Sequence, residues 1–108
     1  MKLVMAIVQD IDADPAMETL TKAGFKVTRI ASTGGFFRMG NTTLLIGTED
    51  AQVTTVIDVL RQICKERTRV MPVNFDPSEA ILSAGAYTEV PVGGATVLVI
   101  DVERFERF

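Results

Sequence analysis

The stretch FKVTRIASTGGFFRMGNTTLLIG, residues 25–47, decides the fold. Its opening, FKVTRIA (25–31), alternates. Phe25, Val27 and Ile30 mark apolar faces, and Lys26, Thr28 and Arg29 lie outside them, as in a bulged strand. Its close, TTLLI (42–46), is a second strand, ended by Gly47. Between them three glycines, two phenylalanines and an arginine form a loop, 32–41. Two successive strands joined by a loop form the middle of the fold, and the flanking segments complete it.

Upstream, LVMAIV (3–8) is a short apolar run without alternation, as in a buried strand. Asp14 suits an N-cap and Pro15 the first helical residue. That helix would bury Ala16, Leu20 and Ala23, with Met17 beside them, and stop at Gly24. Downstream, a second helix is expected to begin near 48–50. Val53, Val56, Ile57, Leu60, Ile63 and Cys64 make its apolar stripe, the clearest helical period in the chain. Periodicity then disappears from 65 to 89, where Pro72 and Pro77 interrupt. A short helix over 77–84 fits there, capped by Asp76. Residues 90–102 read as a last strand kinked at Gly93 and Gly94. The tail ERFERF sets Phe105 and Phe108 three apart. The order is β-α-β-β-α-β, an α+β chain of the ferredoxin-like type. One domain, 1–108, is expected, with flexible loops at about 32–41 and 65–89.

Composition narrows the function. With 47% hydrophobic and 23% charged residues the 108-residue chain is globular rather than disordered. A net charge of −3 gives no global attraction to nucleic acid or an anionic membrane. No stretch reaches the ~20 apolar residues of a membrane span. The apolar start is too short for a signal peptide and runs straight into Asp10, Asp12 and Asp14. One cysteine, Cys64, allows no internal disulfide and fits a reducing compartment, so a cytoplasmic location is expected. The lack of histidine removes His-based catalysis and His metal ligands.

Most motifs have plain structural readings. DIDAD (10–14) has the spacing that opens a calcium loop, but the required glycine and distal glutamate are missing, so it reads as a cap and solvated turn. Cys64, on an apolar stripe, reads as a structural thiol. KERTR (65–69) reads as solvated cations at a helix end or as a phosphate contact. Gly93-Gly94 reads as a kink that lets another backbone approach. No phosphate-loop or dinucleotide-binding glycine motif occurs.

The loop 32–41 differs. Gly34, Gly35 and Gly40 permit close backbone approach to a ligand. Phe36 and Phe37 offer faces for a flat ring, and Asn41 can read a purine edge. Lys26, Arg29 and Arg38 add charge, and Thr28, Ser32 and Thr33 add hydroxyls. A nucleotide base suits this set. So does a plainer use, with the two phenylalanines plugging a core or a subunit interface.

STGGFFRMGNTTLLIG (32–47) closely resembles the signature of the PII-like cyclic di-AMP receptors of Gram-positive bacteria, called PstA or DarA. The resemblance takes in AIVQDIDAD (6–14) and VPVGGATVLVIDVERF (90–105), so it spans nearly the whole chain. It implies a ferredoxin-like homotrimer that binds cyclic di-AMP in clefts between subunits. The two loops would flank that cleft and switch on binding for a downstream partner. Carried over by position, Lys26 and Thr28 lie beside the site. Gly35, Phe36 and Phe37 contact adenine and phosphate, Asn41 hydrogen-bonds a base, Gly47 meets a phosphate and Leu98 forms an apolar wall. Relatives often carry arginine at the position of Lys26, leucine at Phe37 and phenylalanine at Leu98. Lysine keeps the charge without the planar fork. The long loop matches weakly.

The resemblance implies a receptor, not an enzyme, with no resident cofactor. Three alternatives stand beside it: a PII-like sensor of ATP or ADP, a ligand-free trimeric scaffold, and an acylphosphatase-like enzyme using Arg38 and Asn41. The last requires an arginine after the first strand, where residues 10–14 are acidic.

Overall fold

The computed structural model describes residues 1–31, 40–72 and 87–108. The elements are β1 (Lys2–Gln9), α1 (Asp10–Lys22), β2 (Val27–Ala31), β3 (Asn41–Thr48), α2 (Val53–Cys64), β4 (Arg67–Pro72), β5 (Tyr87–Val92) and β6 (Ala95–Asp101). A 3₁₀ turn, Asp50–Gln52, leads into α2. Four strands form an antiparallel sheet in the order β2-β3-β1-β6, and β4 and β5 form a separate two-stranded ribbon. With the ribbon set aside, this small α+β arrangement is consistent with a ferredoxin-like fold.

One face of the sheet carries both helices. Val4, Ala6 and Val8 of β1 and Leu44 and Ile46 of β3 are fully or almost fully buried. They pack in one cluster with Ala13, Ala16 and Leu20 of α1 and Val56, Leu60 and Cys64 of α2. The stripe expected on α2 is the face that meets this core. Small alanines on α1 let that helix lie close to the strands.

Helix α1 ends as expected. Gly24 takes a φ of +94°, its N–H donates to Thr21 O at 3.0 Å, and Phe25 N–H reaches back to Leu20 O at 3.0 Å. These bonds form a Schellman cap, closed by Phe25 packed on the cluster that holds Leu20. The start of α1 corrects the sequence reading. The helix begins at Asp10, capped by an extended Gln9, and Pro15 lies inside it. Pro15 forfeits one helical hydrogen bond. Long-range bonds from Asp10 and Asp12, described below, hold the extra turn.

The reading of 65–89 as a loop is also corrected at both ends. Arg67–Pro72 and Tyr87–Val92 pair in register, Arg67 opposite Val92 and Pro72 opposite Tyr87. The ribbon is largely exposed, with Val70 at 60% and Tyr87 at 63%. It has no apolar face to impose an alternation, and both its strands are edges, where Pro72 and Pro91 are tolerated. Nor is 90–102 one kinked strand. Gly93 and Gly94, at φ +92° and +84°, pass the chain from the ribbon to the main sheet. The helix expected at 77–84 lies outside the described residues. Among the described residues no helix is long and apolar enough to cross a membrane.

Candidate functional site

Strand register separates the two faces of the sheet. Thr42, Leu44, Ile46 and Thr48 of β3 are buried towards the helices, so Asn41, Thr43, Leu45 and Gly47 project to the open face. Pairing carries that parity across the sheet. Thr28 lies opposite Leu45, Leu45 opposite Met5, and Met5 opposite Leu98. Thr28 and Leu98 therefore end one row, on opposite edges, roughly 14 Å apart at ~4.8 Å per strand. Four residues expected at the site, Thr28, Asn41, Gly47 and Leu98, share the open face. Gly35, Phe36 and Phe37 lie outside the described residues.

Two clefts gather the rest. At one end of the sheet, Lys26 and Gly47 line a cleft of ≈ 270 Å³ with Phe25 and Gln52. At the other, Asn41 lines a polar cleft of ≈ 320 Å³ with Gln9, Glu66, Gly93, Gly94 and Thr96. Asn41 and Gly47 are six residues apart on one strand, about 20 Å at ~3.3 Å per residue. The fold of one chain thus brings Lys26 to Gly47 and Asn41 to Gln9, and keeps the two pairs apart. Arg29 departs from its expected role. It pairs with Leu44 in the ladder, on the helix side, and its guanidinium holds Asp14 at 2.5 Å.

The acidic run 10–14 is bonded to three different partners. Thr42 Oγ1 donates to Asp10 Oδ1 at 2.5 Å. Arg67 donates to Asp12 through both nitrogens, Nη2 at 2.6 Å and Nη1 at 3.4 Å. The Asp12 side chain is only 3% exposed, so the solvated-turn reading fails at this residue. Its hydrogen bond holds the Arg67 guanidinium above its ordinary pKa. Arg67 is accordingly a partner of the core and no longer one of the solvated cations of 65–69.

Gly93-Gly94 allows the close approach its sequence suggests. Gly93 N–H donates to Gln9 Oε1 at 2.6 Å, and Gly94 N–H to the Cys64 carbonyl. A side chain on Gly93 would collide with the Lys65 carbonyl oxygen and, at 2.8 Å, with Arg67 Nη1. Beside this crossing, Cys64 and Leu60 line a partly open cleft of ≈ 260 Å³ between α2 and β6, with Arg61 and Lys65 at its wall. Burial pushes the Cys64 thiol up to about 11, with the Asp12 carboxylate adding to the effect and Arg67 opposing it. A protonated thiol of this kind is a poor nucleophile at neutral pH.

Gln9 and Gly93 line the cleft at Asn41, with Asp12 and Arg67 bonded behind it, and of these only Arg67, within the cluster 65–69, has a binding reading from sequence. The glycine pair and the charge cluster were visible signals. Their partners are ~55 to 84 residues away in sequence and appear only in the fold.

Two comparisons bear on this geometry. A model of the cyclic-di-AMP receptor family matches residues 1–108. A crystal structure of a functionally unknown protein from Pediococcus pentosaceus is similar over 99% of this chain and 96% of its own, at 38% identity and a TM-score of 0.77.

Proposed function

The chain belongs to the cyclic-di-AMP receptor family, and from that premise we propose that it is a non-enzymatic receptor that binds the second messenger at subunit interfaces. The row Thr28–Leu45–Met5–Leu98 carries this reading. Its ends lie on opposite edges of one sheet, so edge-to-edge contact between neighbouring copies brings the two ends together around one ligand. Opposite edges meeting head to tail close a ring when the rotation between copies allows it, and a homotrimer is such a ring. The open face supports association. Leu98 and Ile100 are 44% and 43% exposed, and Leu3, Met5, Ile7 and Leu45 beside them are only part-buried.

In this reading Asn41 selects adenine and Phe36 or Phe37 stacks on it. Gly35 and Gly47 bring backbone amides to the phosphates, Lys26 supplies charge, and Leu98 of a neighbour walls the pocket. The two clefts lie near or below the ~300 Å³ lower end of small-molecule pockets, as expected of half-sites. Binding would reorient the β4–β5 ribbon for a downstream protein in the cytoplasm, with no metal or prosthetic group involved.

Isothermal titration with cyclic di-AMP, against cyclic di-GMP and ATP, tests the proposal. Saturable, selective binding near one ligand per chain is expected. Phe36→Ala should weaken it by about 1–3 kcal/mol, the worth of one stacked base. An unchanged affinity in that variant removes the stacking role. Binding of ATP alone would replace the receptor reading with a PII-like sensor of a linear nucleotide, and binding of neither would leave the trimeric scaffold.

A further inference from the structure

Residues 9–12, where β1 turns into α1, reach in two directions. Towards the nucleotide loop, Asp10 N–H donates to Gly40 O at 2.9 Å, and Asp10 Oδ1 accepts from Thr42 Oγ1 at 2.5 Å. Gly40 and Thr42 flank Asn41, and Gln9 is the ladder partner of Asn41. Towards the ribbon, Gln9 Oε1 accepts from Gly93 N–H at 2.6 Å, and Asp12 accepts the Arg67 fork at 2.6 and 3.4 Å.

Both strands of the ribbon are held at this root. Arg67 opens β4, and its register partner Val92, only 2% exposed, ends β5. Away from the root the described ribbon residues become exposed, so the bonds at the root set the direction in which the ribbon leaves the body. Arg67 Nη1 also donates to Lys65 O at 3.0 Å, which fixes the fork against the end of α2. Three of these four residues thus bond to the segment that carries the base-reading asparagine or to the segment that steers the ribbon. Interior groups with fixed, fully bonded geometry transmit displacement because packed structure deforms little.

We propose that Gln9, Asp12 and Arg67 are positioning residues that couple the nucleotide cleft at Asn41 to the β4–β5 ribbon. The ligand arm of this proposal rests on the cyclic di-AMP reading above, and the coupling itself is a property of the chain. A ligand that tightens Asn41 against Gln9 draws on the residue that holds Gly93, and linkage makes the effect reciprocal. Loosening the ribbon root then loosens the start of β3.

Amide hydrogen exchange on the full-length protein tests the coupling, in wild type, Arg67→Gln and the double variant Asp12→Asn/Arg67→Gln. The double variant leaves no unpaired buried carboxylate. Without ligand, exchange should rise tenfold or more in the ribbon and also in residues 41–43, while residues 44–46 and α2 keep their protection. Acceleration confined to the ribbon overturns the proposal. With cyclic di-AMP, wild type should gain protection in both segments. The double variant should bind and gain it only near Asn41, and full ribbon protection in that variant also overturns the proposal. Should wild type bind no cyclic di-AMP, the receptor reading falls and the ligand-free arm still decides the coupling. If neither Arg67 variant folds, Gln9→Ala removes a single hydrogen bond. It should raise exchange at least threefold at both Gly93 and residues 41–43, and an effect at Gly93 alone counts against coupling.

Discussion

The main sheet and the β4–β5 ribbon are built from similar strands and held by different forces. The sheet has a face covered by two helices, and its central strands bury Val4, Ala6, Val8, Leu44 and Ile46. Among the described residues the ribbon has two edges, little buried surface and a root fastened by one ion pair and by two backbone amides, Gly93 N–H to the Gln9 side chain and Gly94 N–H to the Cys64 carbonyl. A two-stranded ribbon alone is marginal in water. The stability of the protein therefore resides in the helix-backed sheet rather than in the ribbon.

Truncation should expose the contrast most strongly in the sheet core. Leu60→Ala, at a 1% exposed position, should lower unfolding free energy by about 2–5 kcal/mol in chemical denaturation. A loss below about 1 kcal/mol would mean that α2 is not the centre of the core. Arg67→Met comes next and probes the fastening between the regions. It strands a buried carboxylate, which in a fully buried pair costs about 3–5 kcal/mol. The guanidinium is 35% exposed, so solvent screening lowers the expected loss to about 2 kcal/mol. Adding Asp12→Asn should recover part of it. No recovery would show that Arg67 acts through packing of its stem rather than through charge.

Cys64, below the fastening, gives a pH signature. Its thiol is raised to about 11 in the fold, against an unfolded value near 8.5–9. Between those values the unfolded chain has lost the proton that the folded chain keeps. Stability is full below about pH 8.5 and falls as pH rises through 9 to 11, by at most about 2–3 kcal/mol. Melts of wild type and Cys64→Ala across that window should diverge on the wild-type side. Parallel curves would mean that the thiol is not desolvated. The smallest effect belongs to the ribbon. Val70→Ala, 60% exposed, should change stability by less than about 0.5 kcal/mol. A larger loss would reveal a covered ribbon and erase the contrast.

Legibility followed the same division. The stripe of α2, the glycine stop of α1 and the strand at 42–46 were readable because burial imposes a period on sequence. The ribbon was not, since RTRVMP and YTEVPV have no dry side to write one. The start of α1 was misplaced because Pro15 carries a strong local signal, whereas the bonds of Asp10 and Asp12 to Thr42 and Arg67 are long-range. Asp12 was read as solvated because an aspartate is rarely buried without a partner, and its partner lies 55 residues on. The family resemblance also named Thr28, Asn41, Gly47 and Leu98 without showing that they share a face. That required the register of three strand pairs. It also showed that Thr28 and Leu98 sit on opposite edges, a spacing no motif encodes.

The prolines of the ribbon have a consequence for behaviour at high concentration. Uncovered strand edges invite further strands, the first step of amyloid-like stacking. Pro72 and Pro91 each lack the amide hydrogen that an incoming strand would need, and Arg69 and Glu89 place charge along the same edges. The protein can keep a bare ribbon in a crowded solution because its edges are poor templates for one another.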